Sequence, residues 1–285
     1  MNVSPAVTDV RPSPIAGMWY PGDARQLAAE VDAYLAAAQV TPPPGAIIGV
    51  MAPHAGYRYS GPVAGHAFRL VQGMTAEVVA VVSPIHRPLS MAPVFTTAHA
   101  AYATPLGAIP VDHDALEAVR AAGIRVEAVR RDQEHSLEIE LPFLQRALAG
   151  AFALIPLMLA DQSASGAERL GRVLAGVLRG RKALLVASTD LSHFYDQRTA
   201  NALDQAVLDR VAAYDPAGVI ALEDEGRGFA CGRAAVAAVM WAARDLGADA
   251  AAIVNYATSG DASGDYERVV GYGAAVFYRR AVGVS

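Results

Sequence analysis

The sequence predicts an α/β fold, a three-layer sandwich in which helices cover both faces of a mostly parallel central sheet. Short apolar runs rich in Val, Ile, Leu and Ala recur along the chain and alternate with amphipathic stretches of ten or more residues. A hydrophobic content of 53% against 18% charged residues supplies the core that such a fold needs.

The elements follow in order. Residues 1–14 contain several prolines and no periodicity, and read as irregular. Asp23 has the side chain of a helix N-cap, and Leu27, Val31 and Leu35 then fall on one face of a helix through Ala38. The TPPPG stretch at 41–45 ends that element, since proline cannot continue it. Ala46–Ala52 reads as a buried strand, 61–72 as a helix and Val78–Val82 as a second buried strand. Asp112 or Asp114 caps a helix ending near Gly123. In 134–149, EHSLEIELPFLQRALA, SLEIEL alternates like a strand while Glu, Leu and Gln favour helix, which is the preferred reading. Phe152–Met158 and Lys182–Ala187 are strands, 164–178 is an amphipathic helix, and helices lie near 198–213 and 231–246. Strands at Ala251–Tyr256 and Tyr272–Tyr278 close the chain. No repeat or linker divides it, so residues 1–285 read as one domain.

A net charge of -5 and a pI near 5.8 argue against a broad nucleic-acid-binding face. One cysteine, Cys231, excludes an intrachain disulfide and gives no sign of an oxidising compartment. The first residues lack an apolar signal core and the apolar runs are too short to span a bilayer. A cytoplasmic protein without membrane or nucleic-acid partners is the expectation.

The functional signal is positional. AIIGVMA runs into Pro53-His54, VVAVVS into Pro84-Ile85-His86, and ALLVAS into Thr189-Asp190-Leu191-Ser192-His193. Carboxyl ends of parallel strands share one crevice, where ligands bind. One such histidine also fits a loop residue bonded to backbone; three of seven point to a shared site. Imidazole is the commonest metal ligand, so His54 and His86 begin a metal site that needs a third donor. Cys231, in Phe-Ala-Cys-Gly-Arg at a predicted helix start, is a candidate, because a helix N-terminus and Arg233 would favour the thiolate. Taken alone, it fits a small buried hydrophobe better.

Other features are weaker. Glu134, His135 and Glu138 have the spacing to share a helix face, lining a pocket or facing solvent. Trp19 is either held over a cleft or anchored in the core. TSGDASGD at 258–265 lacks a P-loop Lys-Ser/Thr signature and reads as a flexible loop.

The stretches GMWYPG (17–22), APHAGYRYSG (52–61), SPIHRPLS (83–90), EHSLEIELPF (134–143), STDLSHF (188–194), CGR (231–233) and NYATSGD (255–261) resemble the Memo family, also called AmmeMemoRadiSam system protein B. The resemblance implies a fold like that of LigB-type, class III extradiol dioxygenases, which hold ferrous iron with two histidines and a glutamate. Carried over by motif, it implies His54, His86 and Cys231 as metal ligands, and His193 with Asp190 as the acid–base pair. Trp19, Glu134 and His135 would line the pocket. Iron(II) is the expected cofactor, with copper or zinc as alternatives, because a thiolate in place of a carboxylate changes ligand softness. The implied activity is a dioxygenase-like oxidation of an unidentified small substrate; the alternative is a non-catalytic metal- or peptide-binding module. A zinc hydrolase ranks last, as no HExxH is present. The family name also implies a functional link to AMMECR-type and radical-SAM proteins.

Overall fold

A computed structural model describes residues 9–281. A two-residue strand, β1 (Val10–Arg11), lies inside the stretch expected to be irregular. Helix α1 (Ala24–Ala37) starts where predicted: the Asp23 side chain accepts from the Arg25 and Gln26 N–H groups, and Leu27, Val31 and Leu35 are buried. Strand β2 (Gly45–Ala52) leads to α2 (Tyr57–Arg69), which begins four residues before the predicted start. Gly65 lets α2 approach α1, because a Cβ there would stand 2.8 Å from the Tyr34 carbonyl oxygen. Strand β3 (Val78–Pro84) is buried at every residue.

Four short strands escaped the sequence reading: β4 (Val94–Thr97), β5 (Ala101–Thr104), β6 (Gly107–Pro110) and β7 (Val126–Val129). Helix α3 (His113–Ala121) is capped by Asp112 rather than Asp114. The preferred helix over 134–149 is corrected: residues 134–137 form a loop, Glu138–Glu140 one 3₁₀ turn, and only α4 (Leu141–Ala147) is α-helical. Glu134 accepts from the backbone N–H groups of His135 and Ser136, a local bonding that competes with helix, and Pro142 suits the opening of α4. Glu134, His135 and Glu138 therefore share no helix face.

The remainder follows the expected alternation, β8 (Ala153–Leu159), α5 (Ala164–Leu178), β9 (Ala183–Ser188) and α6 (Gln197–Ala212), except that a short unpredicted strand, β10 (His193–Tyr195), precedes α6. An unpredicted α7 (Pro216–Asp224) precedes α8 (Arg233–Asp245) and β11 (Ala250–Thr258). The stretch expected as a flexible loop holds a short helix, α9 (Ser259–Ser263), closed by a Thr258–Asp261 capping box. Strand β12 (Val269–Arg280) ends the series.

The large sheet runs β10-β12-β2-β9-β3-β8-β4-β7, with β11 beside β12; β1, β5 and β6 form a small separate sheet. Its centre, β2-β9-β3-β8, is parallel, whereas β12 against β2 and β4 against β8 are antiparallel. Helices α1, α2 and α4 pack as one group and α5, α7 and α8 as another, each in contact with the strands. The architecture is the α/β one predicted, with a mixed sheet that is parallel through its middle and again between β4 and β7 at one edge. Ala52 of β2 pairs with Ser188 of β9, so the segments after β2, β3 and β9 leave the sheet at one edge. Among the described residues, no helix is long and apolar enough to cross a membrane.

Candidate metal centre

Three segments bring imidazoles together at that edge. His54 follows β2, His86 follows β3, and His135 comes from the loop before the 3₁₀ turn. One ligand atom from each lies within 4.8 Å of the other two. The ring centroids are 5.4 Å apart for His54–His86, 5.5 Å for His54–His135 and 4.8 Å for His86–His135.

Each ring is held from outside this cluster. Glu134 takes the His86 backbone N–H at 2.6 Å and stands 2.9 Å from His86 Nδ1 and 3.4 Å from His135 Nδ1. Such partners fix the tautomer and leave Nε2 as the donor to a metal. His54 is fixed through Ser188, whose Oγ is 2.9 Å from His54 Nδ1, 2.6 Å from the Ser136 carbonyl oxygen and 2.8 Å from Glu140 Oε1. The carbonyl can only accept, so the single hydroxyl proton of Ser188 belongs there. Glu140 must then donate to Ser188 as a neutral acid, and complete burial does hold its carboxyl well above the usual range. The remaining Ser188 lone pair takes His54 Nδ1–H. The buried chain Glu140–Ser188–His54 thereby leaves His54 Nε2 unprotonated.

The charge states suit a cation. Burial, reinforced by the other two histidines, keeps His54 well below its ordinary value, and burial lowers His135 to about 4. Burial also acts to lower His86, but the hydrogen bond and charge of Glu134 outweigh it and raise that imidazole. Burial opposes ionisation of Glu134, yet His86 and the Ser136 N–H hold it far below the carboxylate range. At neutral pH the cluster offers two neutral imidazoles, His54 and His135, while His86 shares its proton with the ionised Glu134 and would give it up to a bound cation, a donor set that fits a divalent transition metal.

Cys231 also reaches the cluster: its Sγ is 3.2 Å from His54 Nε2. The helix start expected beside it is found, with Gly232 as the N-cap of α8, but the expected support from Arg233 is absent. Arg233 is turned to Glu223 and Asp224, and burial together with Asp190 pushes the thiol well above its usual range. Cys231 precedes α8, where Gly232 donates its N–H to Thr189 Oγ1 at 2.9 Å and leaves no room for a Cβ against the Ser188 carbonyl. Asp190 accepts the His54 N–H at 2.7 Å, its other oxygen is 4.0 Å from His54 Nε2, and burial raises it to about 7. His193 is lowered by burial and lies close enough for its charge to oppose that of His54 and His86; its ring meets Phe229 edge-on at 5.5 Å. Trp19 packs on His135 at 4.1 Å between centroids. It borders a cavity of about 550 Å³ reached by His86, Glu134 and His135, and another of about 520 Å³ bounded by Tyr59, Phe194 and Arg268.

The family profile described as Memo-like protein matches residues 11–276. The chain belongs to the Memo family. It is 35% identical over 277 residues to a MEMO1 family protein of Methanopyrus kandleri, covering 93% of this chain and 98% of that one. Identity to a MEMO1 family protein of Nitrosopumilus maritimus is 33%, covering 94% and 99%, and to one of Thermotoga maritima 34%, covering 93% and 98%. A crystal structure of an uncharacterized protein from Escherichia coli K12 aligns with a TM-score of 0.51 at 14% identity, covering 80% of this chain and 99% of that one, which shows the fold alone.

Sequence reasoning assigned His135 to the pocket wall; the fold makes it the third imidazole of the cluster. Ser188 and Glu140 were missed. The available signal for Glu140 was that it and Glu138 alternate with large apolar residues in SLEIELPF.

Proposed function

We propose that this Memo-family protein binds a transition metal, iron(II) with copper or zinc as alternatives, and, with iron, acts as a dioxygenase-like oxidoreductase on a small molecule. The observation that carries the reading is the three-imidazole cluster, with two rings locked by outer partners, at the edge of a cavity of ligand size. His54 and His86 are the core donors, and His135 and Cys231 are both placed to complete the set. A bound ferrous ion would supply the means to activate dioxygen and orient an oxygen-bearing substrate. The chain's own residues would hold the ligands, exclude water and move a proton. Asp190 exchanges its proton near neutrality, and His193 stands nearby as a neutral base. A cytoplasmic location belongs to the same reading.

Metal analysis of anaerobically purified protein, followed by oxygen uptake with Fe(II) and catechol-type compounds, tests it. Stoichiometric metal that disappears in a folded His54→Ala/His86→Ala variant is the expected result. Unchanged metal content in that variant removes the site, and metal retention with no oxygen uptake on any such compound removes the dioxygenase-like reading.

A further inference from the structure

We propose that the cavity beside His86 and His135 takes a small carboxylate with an apolar, preferably aromatic, body. The inference rests on the metal-centre reading only for which end of the ligand reacts. At about 550 Å³ the cavity has the size of small-molecule sites.

Four charged side chains border it: Arg87, Arg131, Asp132 and Glu134. The two acids are already engaged. Both Asp132 oxygens accept from Arg11, and Glu134 is held by His86 and by the N–H groups of His135 and Ser136. Each of these carboxylates is only 3% exposed. Arg87 and Arg131 are exposed, and among the described residues neither guanidinium has a hydrogen-bond or ion-pair partner. In a chain of net charge -5, this cavity therefore presents two uncommitted cations. Guanidinium matches a planar carboxylate in both charge and geometry. The paired acids behind them favour a monoanion over a dianion, because a second ligand charge would meet the ionised Glu134.

The remaining wall selects the body. Trp19 offers an indole, while Leu89 and Met18 are 55% and 73% exposed at the same cavity. Large apolar side chains left in solvent around a concave site mark a surface that a ligand covers. An apolar body along Trp19, Met18 and Leu89 with its carboxylate on the arginines directs the opposite end toward the imidazoles.

Calorimetric titration with 3-phenylpropanoate, its neutral amide and phenyl phosphate tests the assignment on both metal-free and metal-loaded protein. The metal-free arm isolates the arginines from direct metal–carboxylate bonding. The carboxylate should bind about tenfold or more tighter than the amide, as expected for charge-assisted bonds to guanidinium. Arg87→Ala and Arg131→Ala should each remove much of that preference, and the double variant all of it, with metal content unchanged. Equal binding of the amide, tighter binding of phenyl phosphate, a preference surviving in the double variant, or no saturable binding overturns the proposal. Failure of the metal-centre reading looks different: no metal is retained, while the arginine-dependent preference persists.

Discussion

Replacing Ser188 with Ala deletes the one hydroxyl that joins His54, the Ser136 carbonyl and Glu140. His54 Nδ1 then has no fixed partner, so the imidazole can rotate or place its proton on Nε2, the nitrogen needed for a metal. Losing an outer partner of a metal-binding histidine costs roughly 10–100-fold in affinity, which is about 1.4–2.8 kcal/mol. The second effect is on the fold. Glu140 Oε2 already lacks a partner, and the variant strands Oε1 as well, at a cost of about 1–3 kcal/mol for a buried polar group. Competition titration of Zn(II) or Fe(II) against a chromophoric chelator reads the first effect, and urea unfolding of the metal-free protein the second. Glu140→Gln keeps an N–H donor toward Ser188 and should hold metal affinity within about threefold, the scatter expected for a conserved bond. A Ser188→Ala protein that is folded and binds metal within twofold of the parent would refute the tautomer argument.

Cys231→Ser is expected to weaken metal binding sharply, and His135→Ala compared beside it in the same titration separates the two candidate third donors. Asp190 is raised from 3.8 to about 7, so its protonated form favours the fold; that contribution is complete below about pH 4 and lost as pH rises through 7. Asp190→Asn should therefore stabilise the metal-free protein relative to the parent above pH 7, by on the order of 4 kcal/mol, with little difference near pH 4, as read by urea unfolding across that range. Arg11→Met should leave Asp132 and Glu138 as uncompensated buried acids and cost about 3–5 kcal/mol in denaturant unfolding.

The buried centre of the fold was legible because fully apolar strands such as Val78–Pro84 need no tertiary information to be recognised. The same runs end in Pro53-His54 and Pro84-Ile85-His86, so the site's location came with them. Strands β4 to β7 were not legible, since four residues carry too little period to stand out from loop. The helix expected over 134–149 failed from its start to Glu140. Its opening residues are claimed by contacts distant in sequence: Glu134 binds His86, 48 positions away, and Glu138 binds Arg11, 127 away. Arg233 follows Cys231 closely in sequence, but as the first residue of α8 it is aimed at Glu223 instead, which no sequence neighbour of Cys231 reveals.

Gly232 has no side chain to offer a metal, yet its missing Cβ lets the chain carrying Cys231 lie flush on the end of β9. The Ser188 carbonyl and the Thr189 side chain occupy the space that any other residue would claim. Ser188 is also the residue that orients His54, so a side chain at 232 would press on the cysteine's carrier and on the histidine's anchor together. Larger residues at 232 should thus be rejected even where the rest of α8 tolerates exchange. A saturation survey scored by metal content would rank this glycine with the ligands themselves.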